Sequence, residues 1–173
     1  MKHIINNIAK QTANRIAMLL MFVLGITSYA SAGNVLSVGD LTNVVAGQEY
    51  DLQFNFANET AVRIMTVDFK LPEGLDIVSG AQPVKNTSIS QSITMSTLDS
   101  SSKQYRVGIF SFSSKTFAAQ IGKLFTIKVK ANTSVRNSTV SIVNSDVTDV
   151  DNNQLAVTYT EGKVTIKSSF NGT

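Results

Sequence analysis

The chain has 173 residues and carries 15 Lys and Arg, 12 Asp and Glu, one His, no Cys and no Trp, for a formal net charge of +3 at neutral pH. Without Cys it forms no disulfide, and because its one His is His3, residues 33–173 contain no imidazole or thiol for nucleophilic catalysis or for binding zinc or copper. This composition predicts a protein that is not an enzyme and that needs no cofactor.

The first 32 residues have the three parts of a secretory signal peptide. Lys2, Lys10 and Arg15 form the basic part, Ile16–Ile26 is an apolar run, and Ala30-Ser31-Ala32 supplies the small residues of a cleavage site. The apolar run is shorter than the roughly 20 residues that a membrane-spanning helix needs. We therefore expect cleavage after Ala32 and export of one domain, residues 33–173, to the periplasm or the medium without a stable membrane anchor.

Removing this leader changes the charge of the product. The leader holds three of the 15 basic residues and none of the 12 acidic residues, so 12 of each sign remain and the formal charge is zero. Nucleic-acid binding depends on a basic surface, and this balance argues against a nucleic-acid partner. The acidic residues leave a paired-carboxylate hydrolase chemically possible, but their positions in turns and on polar strand faces favour a solubilising role.

The remaining chain alternates between apolar and polar residues with a period of two, which is typical of half-buried strands. In chain order the predicted strands fall at residues 50–56, 65–71, 75–78, 89–95, 105–112, 122–131, 140–147, 155–157 and 164–166. Turn residues separate them at Pro72-Glu73-Gly74, Asp99–Lys103, Asp151-Asn152-Asn153 and Glu161-Gly162. About nine short strands predict an all-β fold, a single antiparallel sandwich of two sheets.

Four segments between Gly47 and Lys167 resemble, in order and spacing, the motifs of a cohesin domain. They are Gly47–Tyr50 before an alternating strand, the strand and proline turn of Val67–Ile77, the GKLFTIKVKA strand of Gly122–Ala131, and the closing Asp149–Ile166 with its Gly-Lys-Val. The wider group contains other carbohydrate-binding-like sandwiches, and the composition is similar to that of secreted proteins of gut Bacteroidetes. The resemblance implies a nine-stranded jelly roll that binds a dockerin-like protein module through one sheet face.

Outward positions on the predicted strands supply candidate contacts for such a partner. Thr66, Asp68 and Lys70 alternate with apolar residues on one strand, and Arg106 lies on a possible neighbouring strand. A protein partner would hydrogen-bond to these groups around a small apolar centre. The first hypothesis is therefore a secreted protein–protein recognition module.

Two other functions remain open at this stage. A carbohydrate-binding module for polysaccharide catabolism stacks sugar rings on exposed aromatic side chains, for which Tyr105, Phe110, Phe112 and Phe117 are the candidates in a chain without Trp. Their alternating positions favour burial of the Phe side chains in the core. A surface adhesion or structural subunit would instead need an exposed, unpaired strand edge.

A short acidic segment is the one candidate for calcium. Asp146, Asp149 and Asp151 lie within six positions of one another, and calcium prefers several oxygen ligands at short spacing. An EF-hand loop starting at Asp149 would need Gly and Glu where the chain has Gln154 and Thr160. A turn explains the segment without an ion, so we predict no metal site.

Overall fold

Twelve β-strands and no helix make up the computed structural model, which describes residues 33–113 and 115–167. The strands are β1 (Asn34–Val38), β2 (Leu41–Val44), β3 (Glu49–Ala57), β4 (Val62–Lys70), β5 (Leu75–Ile77), β6 (Val84–Lys85), β7 (Ser92–Asp99), β8 (Gln104–Phe110), β9 (Gly122–Ala131), β10 (Ser138–Asp149), β11 (Val157–Thr160) and β12 (Gly162–Ile166). Each of the nine predicted strands overlaps one of these, and β1, β2 and β6 are additional. The all-β prediction is confirmed.

The strands form two sheets that pack as a sandwich. Sheet A has the order β11-β1-β3-β9-β5, with β6 also paired to β9, and sheet B has the order β2-β12-β10-β4-β8-β7. Most neighbours are antiparallel, as predicted, but β1 pairs in parallel with β11 and β2 pairs in parallel with β12. The sheets are therefore mixed, because the first two strands of the described chain run in the same direction as the last two strands, which lie beside them.

Two of the crossings from sheet A to sheet B connect the strands of the two parallel pairs. The first crossover lies between β1 and β2, and the second lies at Glu161, between β11 and β12. Glu161-Gly162 is therefore not the tight hairpin turn that its residue types predict, since the strands on either side of it lie in different sheets. The backbone N–H of Lys163 donates a hydrogen bond to Asp40 Oδ1 at 2.7 Å and ties the two crossovers together.

Aromatic rings from both sheets meet in the core. Phe54 of β3 stacks on Phe125 of β9 with ring centroids 4.6 Å apart, and it contacts Phe69 of β4 at 4.9 Å. All three side chains are fully buried. Burial of one such side chain stabilises the fold by about 1.5–3 kcal/mol, and the contact between Phe54 and Phe69 joins the two layers.

The predicted turn after β4 is present. Leu75 N–H donates to the carbonyl oxygen of Pro72 at 3.3 Å, and Gly74 has a φ of 87°. A Cβ atom at Gly74 would lie 2.2 Å from Val135 Cα, so both the backbone angle and the available space require glycine here.

All twelve strands and the buried core lie within one compact unit, Ala32–Thr173. A unit with its own complete core can fold alone, which justifies experiments on residues 33–173. The predicted signal peptide, residues 1–32, lies outside the described residues. In the described ranges there is no helix long and apolar enough to cross a membrane.

Candidate functional site

The outer face of sheet B carries the four residues that the sequence singled out for protein recognition. Met65, Val67 and Phe69 of β4 are buried between the sheets, so the residues that alternate with them point outward. We define the sheet B face by the outward side chains of four adjacent strands: Asn144 and Asp146 of β10; Ile64, Thr66, Asp68 and Lys70 of β4; Gln104, Arg106, Gly108 and Phe110 of β8; and Thr94 and Ser96 of β7.

A two-pronged ion pair lies at the centre of this face. Asp68 and Arg106 are register partners on β4 and β8, and Arg106 donates from Nε to Asp68 Oδ1 at 2.6 Å and from Nη2 to Oδ2 at 2.7 Å. The hydrogen bonds and charge of Asp68, with a smaller contribution from the charge of Asp146, raise the pKa of the Arg106 guanidinium above its ordinary value. Asp68 is only 7% exposed, whereas the Arg106 side chain is 43% exposed and keeps N–H donors free for a partner.

Next to this ion pair the face is flat. Gly108 has no side chain and pairs with Thr66 on one side and Thr94 on the other. A Cβ atom at Gly108 would make only ordinary contacts, with Thr94 Oγ1 at 3.5 Å and Phe110 Cδ1 at 3.8 Å, so no neighbour overlaps this position. The backbone of a partner can therefore approach closely at this point.

Apolar side chains border the flat strip on the side away from the ion pair. Ile64 is 41% exposed, Phe110 is half-buried, and Phe112, just beyond β8, is 98% exposed. The Phe110 and Phe112 rings meet edge to face, with centroids 5.6 Å apart and planes at 79°. The face thus combines a charged pair, a flat strip and an exposed apolar border, which is the usual composition of a protein interface.

Two of the four aromatic candidates for sugar stacking point toward the core. Tyr105 alternates with Arg106 and therefore points inward, where its ring stacks on Phe69 with centroids 5.5 Å apart. Phe117 is 1% exposed because its backbone exchanges two 3.0 Å hydrogen bonds with Val62, which draws this segment against β4. Phe117 is therefore not available to a sugar, and Tyr105 is half-buried with its ring stacked on Phe69. Phe110 and Phe112 remain, but their nearly perpendicular planes do not form a coplanar platform.

The acidic segment that was considered for calcium serves the turn after β10. Asp149 Oδ1 accepts hydrogen bonds from the backbone N–H groups of Asp151 at 2.9 Å and Asn153 at 2.8 Å, and Oδ2 accepts one from Asn153 Nδ2 at 3.0 Å. The bonds from Asn153 lower the pKa of the Asp149 carboxyl below 3.8. Asp146 instead points to the sheet B face and accepts a bond from Gln154 Nε2 at 3.0 Å. Among the described residues no three acidic, His or Cys side chains gather in a group that could hold a metal.

Sequence reasoning found the charged centre of the face and singled out Phe110 and Phe112, although for sugar stacking, but it missed Gly108 and Ile64. Strand alternation already placed Ile64 and Gly108 in phase with Thr66 and Arg106, so the signal was present. Strand alternation did not predict which residues of β10 face outward, because a register shift between Ile142 and Asn144 changes their direction.

No protein-family model and no curated protein matches the sequence. Solved structures do match, and those described here are cohesins. A non-cellulosomal cohesin from the archaeon Archaeoglobus fulgidus has 17% identity and a TM-score of 0.64, covering 79% of this chain and 93% of that one. The cohesin of a type I cohesin–dockerin complex from Clostridium thermocellum has 10% identity and a TM-score of 0.65, covering 82% and 97%.

A third similar structure is the third ScaB cohesin of R. flavefaciens in complex with a group 1 dockerin, with 18% identity, a TM-score of 0.58, and coverage of 81% of this chain and 99% of that one. At such low identity these likenesses establish the fold and not the partner. Residues 33–167 therefore have a cohesin-like fold.

Proposed function

We propose that this protein is an exported, non-catalytic binding module that recognises another protein, a dockerin-like module, through the sheet B face. The observation that carries the proposal is the composition of that face. Arg106 and Asp146 offer exposed charge of both signs, Gly108 offers a flat approach, and Ile64 and Phe112 offer exposed apolar surface. These elements together are what a specific protein contact needs.

The similar structures support this assignment through what they bind. The cohesins from Clostridium thermocellum and R. flavefaciens were solved in complex with dockerins. The absence of His and Cys from residues 33–173 supports a binding role over a catalytic one.

The geometry suggests how a partner would dock. Since two of its N–H groups are held by Asp68, Arg106 is fixed in one orientation, and little side-chain entropy is lost when its remaining donors bind a carbonyl or carboxylate. An apolar partner side chain would pack between Ile64 and Phe112. A helix of the partner that lies along this face would cover Gly108 and would contact both Arg106 and the apolar border.

Export is part of the proposal. The basic, apolar and small-residue segments of residues 1–32 are those of a signal peptide. The expected product, residues 33–173, works in the periplasm or outside the cell. Cleavage after Ala32 is checked by N-terminal sequencing of the protein recovered from its host.

Affinity capture with matched variants tests the function. Residues 33–173 are immobilised and incubated with the culture supernatant and envelope extract of the host, and retained proteins are identified by mass spectrometry. Gly108→Arg places a long charged side chain on the flat strip without touching the core, whereas Thr158→Arg places the same side chain on exposed β11 of sheet A. We expect dockerin-like proteins to be retained by the wild type and by Thr158→Arg but not by Gly108→Arg. Equal retention by all three proteins would show that the sheet B face is not the binding surface.

One observation favours glycan binding as a second candidate function. Phe112 is 98% exposed, and a single exposed ring can stack on one sugar. Binding of the wild type but not of Phe112→Ala on a glycan array, with no protein retained in the capture experiment, would favour this alternative.

A further inference from the structure

The edges of the two sheets differ sharply in length. In sheet A the edge strands are β11 with four residues, β5 with three and β6 with two, and in sheet B the edge strand β2 has four. The opposite edge of sheet B is β7, which has eight residues. Very short edge strands protect a sheet from pairing with another chain, and β7 lacks that protection.

The chemistry of β7 also leaves its edge open. Residues Ser92–Leu98 include no charged residue, no Pro and no Gly, although charge and proline are the usual means of blocking an edge strand. The one register shift lies beyond Thr97, so the six residues before it form a regular ladder with β8. Within the described ranges, none of the loop hydrogen bonds reaches the backbone of Ser92–Leu98.

A groove runs beside the second half of this edge. It has a volume of about 330 Å³ and lies between β7 and the segment 77–82. Its lining includes Met95 and Tyr105 of sheet B and Ile77 of sheet A, which all pack against the core between the sheets. An added strand would have room here for apolar side chains on that side.

We propose that β7 pairs antiparallel with β7 of a second copy of this chain and joins the two B sheets into one. A two-fold register with Met95 opposite Met95 places Thr94 opposite Ser96 and Ile93 opposite Thr97. Residues directly opposite each other point to the same face, so both copies keep their inward and outward sides. The inward Met95 and Ile93 of each copy then lie beside the groove of the other.

The lack of charge along β7 favours a second copy of the same strand as its partner. The paired residues, Ser92–Leu98 of each copy, include no charged side chain, so no like charges meet across the axis. The strand is therefore complementary to itself. Pairing along a single edge buries less than the roughly 1,200–2,000 Å² of a stable interface, so we expect a weak dimer whose population depends on protein concentration.

The symmetry of this dimer has a functional consequence, which rests on the proposed function. A two-fold axis perpendicular to the joined sheet places both sheet B faces on the same side. A partner with two linked binding modules would then be held at both faces, and its avidity would exceed the affinity of either contact.

Sedimentation velocity of residues 33–173 over a concentration series tests self-association. We expect a concentration-dependent dimer for the wild type. Thr94→Lys/Ser96→Lys brings lysines of the two copies directly opposite one another and should raise the dimer dissociation constant at least about tenfold. Thr158→Lys/Thr160→Lys adds the same charge to the edge strand β11 of sheet A and should dimerise as the wild type does. A wild type that stays monomeric up to about millimolar concentration overturns the proposal, as does unchanged dimerisation of the β7 variant.

Cysteine cross-linking tests the register independently, because the chain has no Cys of its own. Met95→Cys places two thiols opposite each other across the axis, with Cα atoms about 5 Å apart and within disulfide reach. Ser92→Cys, on the same strand, places them about 20 Å apart. We expect a disulfide-linked dimer under mild oxidation for Met95→Cys only, and equal cross-linking of the two variants would contradict the register. Gly108→Arg should dimerise normally even where it abolishes partner capture, so the dimer and the proposed function fail separately.

Discussion

Gly162 packs directly against the backbone of Gly39: a Cβ atom at Gly162 would lie 2.7 Å from the Gly39 carbonyl oxygen. The two glycines lie at two crossings from sheet A to sheet B, the one between β1 and β2 and the one between β11 and β12. Close approach of the crossovers is what allows β1 to pair with β11 and β2 to pair with β12. The contact therefore connects the first strands of the sandwich to the last ones.

Gly162→Ala should destabilise the fold. The added methyl group would overlap both the Gly39 carbonyl oxygen and the Val38 side chain, and relief of such overpacking costs about 1–3 kcal/mol. The free energy of unfolding, measured by urea denaturation of residues 33–173, checks this. Gly108→Ala is the matched control, because its Cβ atom meets only ordinary contacts at 3.5 Å and beyond. A Gly162→Ala protein as stable as Gly108→Ala would mean that the crossovers separate easily.

Loss of the Arg106 side chain should affect stability more than loss of another surface cation. Arg106→Ala leaves the nearly buried Asp68 without either of its two hydrogen bonds from Arg106, and an unpaired buried carboxylate is unfavourable. Lys128→Ala removes a cation whose 3.2 Å contact with Asp51 is about half exposed on both sides, and such pairs contribute little. The urea midpoint should fall for Arg106→Ala and stay near the wild-type value for Lys128→Ala.

A double variant without either charge tests whether the charges of Asp68 and Arg106 are needed for stability. Asp68→Asn/Arg106→Gln keeps side chains of similar shape that can hydrogen-bond without charge, so it should recover much of the stability that Arg106→Ala loses. No recovery would indicate that the apolar stem of Arg106, rather than its charge, supports this region.

Acid should weaken the ion pair between Asp76 and Lys103. The hydrogen bond from Lys103 Nζ at 2.7 Å, followed by that from Asn132 Nδ2 at 2.8 Å, lowers the pKa of Asp76 below its ordinary value of 3.8. A carboxyl whose pKa is lower in the folded state contributes stability that is present above pH 3.8 and is lost as the pH falls through the folded-state pKa. The stability difference between wild type and Asp76→Asn should therefore be constant above about pH 5 and shrink below pH 3.8.

Lys103→Met provides the second arm of this measurement. With the cation removed, most of the cause of the lowered pKa is gone, and the acid-dependent difference caused by Asp76→Asn should become smaller in this background. Denaturation curves between pH 2 and pH 7 give both comparisons. An unchanged pH dependence in Lys103→Met would assign the lowered pKa to Asn132 instead.

Calcium should leave thermal stability unchanged, while the Asp149 side chain should be needed for the turn after β10. Both Asp149 oxygens already accept hydrogen bonds from residues 151–153, so an ion would have to displace them. Millimolar calcium should shift the melting temperature by less than about 1 °C, because only a ligand that binds the folded state stabilises it. Asp149→Ala should lower the melting temperature, and Asp151→Ala, whose backbone alone donates to Asp149, should not. A calcium-dependent rise that disappears in Asp149→Ala would establish an ion site.

The residues of the sheet B face show how far local patterns reach. The alternation of Thr66, Asp68 and Lys70 with buried apolar residues was enough to predict that they share one face, and the structure confirms that they do. That Asp68 and Arg106 are register partners was not predictable, because β4 and β8 are separated by about 35 residues of chain and their pairing is not encoded in either strand alone. The burial of Phe117 was favoured by the sequence, but the bridge to Val62 in a distant strand that accompanies it was not predictable.

By itself, the sequence determined the fold class and the outward side of regular strands such as β3 and β4, because side-chain direction in a strand reverses at every residue and is a local property of the backbone. It also excluded imidazole and thiol chemistry from residues 33–173 by composition alone. Only the tertiary structure decided which strands are neighbours, where the chain crosses between sheets, and that β7 is a long edge without a partner strand in the described chain. Those features depend on contacts between segments far apart in the chain, which no local pattern encodes.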